Sequence, residues 1–298
     1  MQALPLGPLS ALLLNAAVWG LSWWPFRELE RHGLHPLWAT ACVYGVSLLC
    51  ITLWRPQAWQ GFGLDPRLWL LAFASGLTNV GFNWAVTEGD VVRVVLLFYL
   101  MPVWSVFLAW WLLGERPTRQ AAGRMALALT GVGLVLYRPG HGLPVPASLP
   151  DWLGLMGGMT FALTNILLLK LRRVPDPSRM LAMFGGGTVM ASGVALLGML
   201  WGVVSAPPPP SLNWLGTASW LSAAFLVGNL ALQYGAARLA AGVTALVMLS
   251  EIVFASVSSV WLGAATLEAR TLAGGALIVL AALLASKAEH PPLEEATP

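Results

Sequence analysis

Long apolar segments alternate with short polar ones along most of the chain. A helix needs about 20 apolar residues to cross the ~30 Å hydrocarbon core of a bilayer, and segments of that length recur ten times. The predicted spans are residues 9–26, 36–54, 68–87, 94–114, 120–137, 152–171, 180–204, 214–237, 240–263 and 267–286. The pattern therefore predicts an all-α integral membrane protein with ten transmembrane helices.

Residues that end helices separate these segments. Turn-prone stretches occupy 55–67 and 139–151, and the prolines at 207–210 cannot continue a helix. The first apolar run starts at Leu9 with no Lys or Arg before it, so it lacks the basic region of a secretory signal peptide and is expected to remain as the first helix. Residues 287–298, rich in proline and glutamate, are expected to form a disordered cytoplasmic tail.

The two halves of the chain repeat one another. Residues 79–84 (NVGFNW) in the third span and 229–234 (NLALQY) in the eighth both have an amide at the first and fifth positions and an aromatic residue at the sixth. Two further pairs of segments occur in the same order in both halves, 19–22 with 161–164 and 100–114 with 249–263. Because each repeat holds an odd number of spans, the second must enter the membrane from the opposite side. The prediction is two inverted five-helix repeats, 1–140 and 152–286, joined by a linker at 141–151.

Inverted repeats are a recurring architecture of secondary transporters, in which the substrate site lies near the membrane midplane between the halves. The repeat therefore predicts a transporter that works by alternating access. It also predicts a cavity between the halves, lined mainly by the first, third, fourth, sixth, eighth and ninth helices.

Composition fits a protein whose solvent is the bilayer. Hydrophobic residues make up 57% of the chain and charged residues only 10%, whereas a soluble domain carries about 25% charged residues. Of the 16 Lys and Arg residues, 11 fall on the side of the two termini and 5 on the other. Positively charged short loops stay in the cytoplasm, so both termini are predicted to be cytoplasmic. These dispersed arginines suit lipid head groups, and nucleic acid is not a predicted partner.

No metal or cofactor site is predicted. The four histidines fall in predicted loops or the tail, and no Cys, His, Asp or Glu spacing resembles a metal site. In the hairpin after the third span, Glu88, Asp90 and Arg93 lie close enough in sequence to pair with one another.

Glu251, near the middle of the ninth span, is the sharpest candidate for a functional residue. A charged side chain in hydrocarbon is costly unless it has a partner or faces water. One interpretation is a partner for a substrate ammonium group or a proton carrier. The alternative is a glutamate that only hydrogen-bonds neighbouring helices together.

Further polar and aromatic residues share faces with one another in the predicted helices. Asn79 and Asn83 are four residues apart, as are their repeat mates Asn229 and Gln233. Amides both donate and accept hydrogen bonds and therefore suit a zwitterionic substrate, although they also join membrane helices. The predicted substrate-binding residues are Asn15, Trp19, Ser22, Asn79, Asn83, Tyr99, Thr164, Asn165, Asn229, Gln233, Tyr234 and Glu251.

Several short motifs give the chain a family resemblance. They are the Trp19–Gly20 step, the run 100–103 (LMPV), the run 113–116 (LGER) with Gly123 and Gly131 beyond it, and the run 250–254 (SEIVF) before Gly263. With these motifs the chain resembles the drug/metabolite transporter superfamily, in particular its EamA-type exporters, and is most similar to the aromatic amino acid exporters of the YddG type. One departure is Ile252, which stands where relatives often have a proline after the glutamate.

The resemblance implies export of small organic solutes across a bacterial inner membrane, with a small-molecule substrate and the lipid bilayer as partners and no cofactor. The predicted substrates are amino acids, aromatic and other; another small organic solute or a drug is the alternative. A membrane-embedded lipid-modifying enzyme is a weaker alternative, because the sequence shows no nucleophile with a base and no metal spacing. Oligomeric state is left open.

Overall fold

The computed structural model describes residues 6–113, 118–137, 145–171, 173–236, 238–239, 247–266 and 268–288. Within these residues the chain is helical and contains no strand, which confirms the predicted all-α fold. The helices are α1 (Leu6–Leu21), α2 (Trp23–Arg31), α3 (Pro36–Trp54), α4 (Gln60–Leu64), α5 (Arg67–Glu88), α6 (Val91–Phe98), α7 (Met101–Leu113), α8 (Arg119–Leu136), α9 (Leu149–Lys170), α10 (Asp176–Leu200), α11 (Leu212–Ala236), α12 (Ser250–Trp261) and α13 (Ala269–Ala288).

Two spans predicted as continuous helices are broken. The first span divides at Ser22, whose Oγ donates a hydrogen bond to the Trp19 carbonyl and so tightens the turn between α1 and α2. The fourth span divides between α6 and α7, because Pro102 has no N–H to donate to the Phe98 carbonyl four residues earlier.

The connections between helices are shorter in the structure than the sequence predicts. Helix α9 begins at Leu149, inside the predicted linker 141–151, and α13 continues to Ala288, inside the predicted tail. The loop 55–67 is largely helical, with a 3₁₀ turn at Pro56–Trp59 followed by α4. Residues 289–298 lie outside the described part of the chain.

Among the described residues, five segments are long and apolar enough to cross a bilayer. They are Gly7–Arg31, Pro36–Trp54, Val91–Leu108, Asp176–Leu200 and Leu212–Gly235. Helices α5 and α9 each have 22 residues, sufficient to span, but carry more polar side chains. The count of ten crossings stays a prediction.

Helix packing follows the symmetry that the repeat predicts. Helix α1 packs on α11, and its repeat mate α9 packs on α5, the mate of α11. In the same way, α3 packs on α11 while α10 packs on α5. The second, fourth and fifth spans of the two halves pack on their own mates, through α3 with α10, α6 with α12 and α8 with α13.

The contact between α8 and α13 is reciprocal at a pair of glycines. A Cβ atom at Gly131 would lie 2.6 Å from the Gly274 carbonyl oxygen, and one at Gly274 would lie 2.5 Å from the Gly131 carbonyl oxygen. Such mutual contact is what a two-fold relation between the halves produces, and it requires residues without a side chain.

Close backbone approach also fixes α10 against α5. A Cβ atom at Gly186 would overlap the carbonyl oxygen of Ala72, and the backbone of α5 cannot yield as a flexible side chain would. Gly193, on the same helix, has no atom within 4 Å of its Cβ position.

We expect Gly186→Ala to lower the thermal stability of the detergent-solubilised protein, because overpacking a close contact costs about 1–3 kcal/mol. Gly193→Ala is the matched control and should leave the melting temperature unchanged or raise it, since alanine favours a helix. Equal melting temperatures for the two variants would show that α5 and α10 are not in close contact.

A buried ion pair joins α6 to α9. Arg93 donates through Nε and Nη2 to the two carboxylate oxygens of Asp151, at 2.7 and 2.9 Å, and through Nη1 to the Val135 carbonyl. Asp90 instead accepts the backbone N–H of Arg93 and begins α6. The expected pairing of Arg93 with Glu88 or Asp90 side chains is therefore wrong, because Asp151 offers both of its oxygens to the guanidinium group.

Asp151→Asn should destabilise the protein by about 3 kcal/mol, because it leaves the partly buried Arg93 guanidinium without a counter-charge. Asp65→Asn, which weakens an exposed pair with Arg67, should leave stability almost unchanged, because exposed ion pairs contribute little. Thermal or denaturant unfolding in one detergent measures both, and equal losses would contradict a structural role for the buried pair.

Candidate functional site

A cavity of about 90 Å³ lies between helices of the two halves. The lining residues are Asn15, Trp19, Ser75, Thr78, Asn79, Phe82, Phe98, Phe161, Thr164, Met183, Asn229, Leu232, Met248 and Glu251. They come from α1, α5, the end of α6, α9, α10, α11, α12 and the residues just before α12. All six spans predicted to line a cavity contribute to it, and Met183 of α10 adds a seventh.

Helical spacing explains why each element presents its polar residues here. On α5, Ser75, Thr78, Asn79 and Phe82 follow positions i, i+3, i+4 and i+7 and so share one face. The same spacing joins Asn15 to Trp19 on α1.

Glu251 is buried, with 6% of its surface exposed, in the first turn of α12. The Tyr99 hydroxyl lies 2.9 Å from its Oε2 and 3.2 Å from the Met248 carbonyl oxygen. Gly20 packs directly against the backbone of Glu251, which places α1 and its Trp19 beside the carboxylate. Among the described residues, no Lys, Arg or His nitrogen lies within 4.0 Å of Glu251.

Two buried polar atoms in the lining have no hydrogen-bond partner among the described residues. Asn15 donates through Nδ2 to the Met248 sulfur at 3.4 Å, while its Oδ1 has no partner. The Thr164 hydroxyl has none either. Buried polar groups normally have a partner, so these two atoms are suited to contact a bound molecule.

The paired amides are used differently in the two halves. On α5, Asn79 accepts from the Tyr44 hydroxyl at 2.7 Å and Asn83 donates to Thr40 at 3.2 Å, so both are joined to α3. On α11, Gln233 donates to Asn229 at 2.8 Å within the helix.

Aromatic rings form much of the apolar wall. Phe98 packs edge-on against Phe82 at 4.8 Å between centroids and lies 5.2 Å from Phe161. Trp19 stacks on Phe225 at 4.5 Å, which fixes the orientation of its indole at the cavity. Apolar walls with a few placed polar groups are typical of small-molecule sites.

The structure brings half of the predicted binding residues together in the cavity. Six of the twelve line it: Asn15, Trp19, Asn79, Thr164, Asn229 and Glu251. Tyr99 and Gln233 do not line it but hydrogen-bond to residues that do.

Four predicted binding residues lie outside the cavity. Ser22 is buried and bonds to its own helix, and Asn83 is fully buried against α3. Asn165 is exposed, because one residue after Thr164 turns the side chain about 100° around the helix. Tyr234 is exposed, and the Arg238 guanidinium lies over its ring, with Cζ 4.0 Å from the ring centroid.

The sequence interpretation missed eight lining residues, Ser75, Thr78, Phe82, Phe98, Phe161, Met183, Leu232 and Met248. Helical spacing from Asn79 identifies Ser75 and Phe82, and the same rule from Thr164 identifies Phe161. Met183 and Met248 carry no such signal, because an apolar residue in a membrane helix is equally consistent with packing or lipid contact.

Comparisons with known proteins agree with a membrane fold. Residues 7–137 match the EamA-like transporter family. The chain is 28% identical over 160 residues to an uncharacterized transporter of Pseudomonas aeruginosa, covering 51% of each chain. It is also 28% identical over 167 residues to the RarD protein of Streptomyces exfoliatus, covering 52% of this chain and 49% of that one. The chain thus spans about half the length of the curated relatives it matches.

One crystal structure shares the fold across nearly the whole chain. It covers 93% of this chain and 96% of its own, with a TM-score of 0.57 and 18% sequence identity. Together with the five apolar spans, these matches identify the chain as a multi-pass membrane protein.

We expect the cavity to hold water. In a chain with Cys42 and Cys50 replaced by alanine, Met248→Cys should react with a charged, membrane-impermeant thiol reagent, because the thiolate that reacts forms only near water. Val189→Cys, on the exposed outer surface of α10, should stay unmodified in a bilayer. Labelling followed by mass spectrometry measures both; an inert Met248→Cys would show that the cavity is dry.

Proposed function

We propose that this protein is a secondary transporter of the EamA type that exports small amine-bearing solutes, above all amino acids, by alternating access. The match of its first half to the EamA-like transporter family supports this proposal, as does its similarity to a protein described as an uncharacterized transporter. It acts in the inner membrane of a bacterium, with both termini in the cytoplasm.

The observation that carries the proposal is the buried Glu251 carboxylate in a cavity between the two halves. An ionised group buried within the hydrocarbon region is costly unless it has a partner or faces water. Tyr99 supplies one hydrogen bond but no positive charge. A substrate ammonium group would supply that charge and complete the coordination of the carboxylate.

The amine would have a second acceptor. Asn15 Oδ1 is unpaired, and both Asn15 and Tyr99 contact Met248, one through its sulfur and the other through its carbonyl oxygen. Asn15 and Glu251 therefore belong to the same wall of the cavity. The aromatic residues that line the rest of the cavity would accommodate apolar substrate side chains of varied shape.

The matched packing of the two halves supports alternating access. Helices α1 and α12 pack on each other, as do their repeat mates α6 and α9, and all four contribute to the cavity lining. Rocking of one group against the other would exchange which end of the cavity is open, as in other transporters with inverted repeats.

Other small organic cations and drugs are the second substrate class, since Glu251 would also attract an amine without a carboxylate. An enzymatic role has little support. The hydroxyl groups of Ser75 and Thr78 both bond to backbone carbonyls, and neither contacts Glu251 among the described interactions.

Glu251→Gln should keep the fold and lower amino acid efflux from proteoliposomes by roughly tenfold or more. The amide preserves size but removes a charge-assisted hydrogen bond, worth about 1.5–3 kcal/mol, and it abolishes titration at this position. The rates are compared at equal protein amounts over an external pH series.

Glu268→Gln is the matched control, because Glu268 pairs with Arg270 in the connection before α13, away from the cavity. Its efflux should equal that of the unchanged protein at every pH. If Glu251→Gln behaved like Glu268→Gln in both rate and pH dependence, Glu251 would be a structural residue only.

A further inference from the structure

The hydroxyl of Thr164 differs from the other hydroxyl groups that line the cavity. Ser75 donates to the Leu71 carbonyl at 2.7 Å, and Thr78 donates to the Ala74 carbonyl at 2.9 Å. Thr164, only 1% exposed, has no partner for its Oγ1 in the part of the chain that the structure describes. A threonine in a helix can usually bond the carbonyl one turn earlier. Thr164 makes no such bond, so its hydroxyl is free to contact a bound molecule.

The repeat mate of Thr164 has another use. The segments 19–22 and 161–164 align, which pairs Ser22 with Thr164. Ser22 donates to the Trp19 carbonyl at 2.7 Å at the break between α1 and α2, and it does not line the cavity. Helix α9 continues through Thr164 without a break. The two halves therefore place equivalent hydroxyl groups in different roles, and only the one on α9 faces the cavity.

A second free donor lies on the same side. Asn79 accepts a hydrogen bond from Tyr44 through Oδ1, so its Nδ2 group is the part of the amide left to donate into the cavity that Asn79 lines. Helix α5 packs on α9 through the hydrogen bond between Thr78 and Thr160, 2.9 Å long and one turn before Thr164. Donors thus gather on the α5 and α9 wall, while the acceptors Glu251 and Asn15 belong to α12 and α1.

We infer that Thr164, assisted by Asn79, forms a subsite for the carboxylate of an α-amino acid, opposite the amine subsite at Glu251. This inference rests on the proposed function and deepens it. A zwitterion would extend its ammonium group towards Glu251 and its carboxylate towards the Thr164 hydroxyl. Thr164 is therefore the residue that distinguishes an amino acid from the amine that lacks its carboxylate.

The test compares L-phenylalanine with 2-phenylethylamine by isothermal titration calorimetry on the full chain in detergent. Thr164→Val removes the hydroxyl and keeps the shape, so the Kd for L-phenylalanine should rise about tenfold, the equivalent of one hydrogen bond to a charged group. The Kd for 2-phenylethylamine should change less than about twofold. Glu251→Gln should weaken both ligands.

Two variants keep the result interpretable. Thr188→Val is the matched control, because Thr188 bonds to the Phe184 carbonyl and does not line the cavity; it should leave both Kd values unchanged. Thr164→Ser retains the hydroxyl and should restore phenylalanine binding if the valine variant folds poorly.

Equal effects of Thr164→Val on the two ligands, or no effect on either, would overturn the subsite. The subsite would also be overturned if the wild-type protein bound 2-phenylethylamine as tightly as L-phenylalanine. That result would leave the proposed transport of amines intact. If the wild-type protein bound neither ligand, the proposed function itself would fail.

Discussion

The hydrocarbon interior of a bilayer offers no water to polar groups, and this constraint orders the whole molecule. Backbone groups are satisfied within helices, and polar side chains must find one another or share a cavity. Asn15, Thr164 and Glu251 accordingly line one cavity between the two halves, while large apolar residues such as Leu200, 81% exposed, cover the outer surface. Close contacts at glycines, as between Gly20 and the backbone of Glu251, bring the walls of this cavity together.

The sequence predicts those features that repeat or have a period. The matching amides of the third and eighth spans led to the prediction of inverted halves. Two of these amides, Asn79 and Asn229, line the cavity. The break at Ser22 and the pairing of Arg93 with Asp151 could not be predicted in the same way. One depends on a local hydrogen bond that any serine can make, and the other joins residues 58 positions apart.

The two halves share an architecture but not the same polar contacts. In the first, hydrogen bonds from Asn79 and Asn83 join α5 to α3; in the second, Asn229 and Gln233 bond to each other within α11. If rocking exchanges the roles of the halves, the two access states differ in free energy, because these hydrogen bonds have no equivalents after the exchange. Under the proposed mechanism, one access state would therefore be more populated than the other when no substrate is bound.

The central claim is that Glu251 attracts a positively charged amine into the cavity. Competition in proteoliposomes loaded with radiolabelled L-phenylalanine tests it most directly, with unlabelled phenylalanine or N-acetylphenylalanine as the competitor. The acetyl group removes the ammonium charge and keeps the carboxylate and the ring. Phenylalanine should compete for efflux and N-acetylphenylalanine should not; equal competition by both would contradict a role for the amine and for Glu251 as its partner.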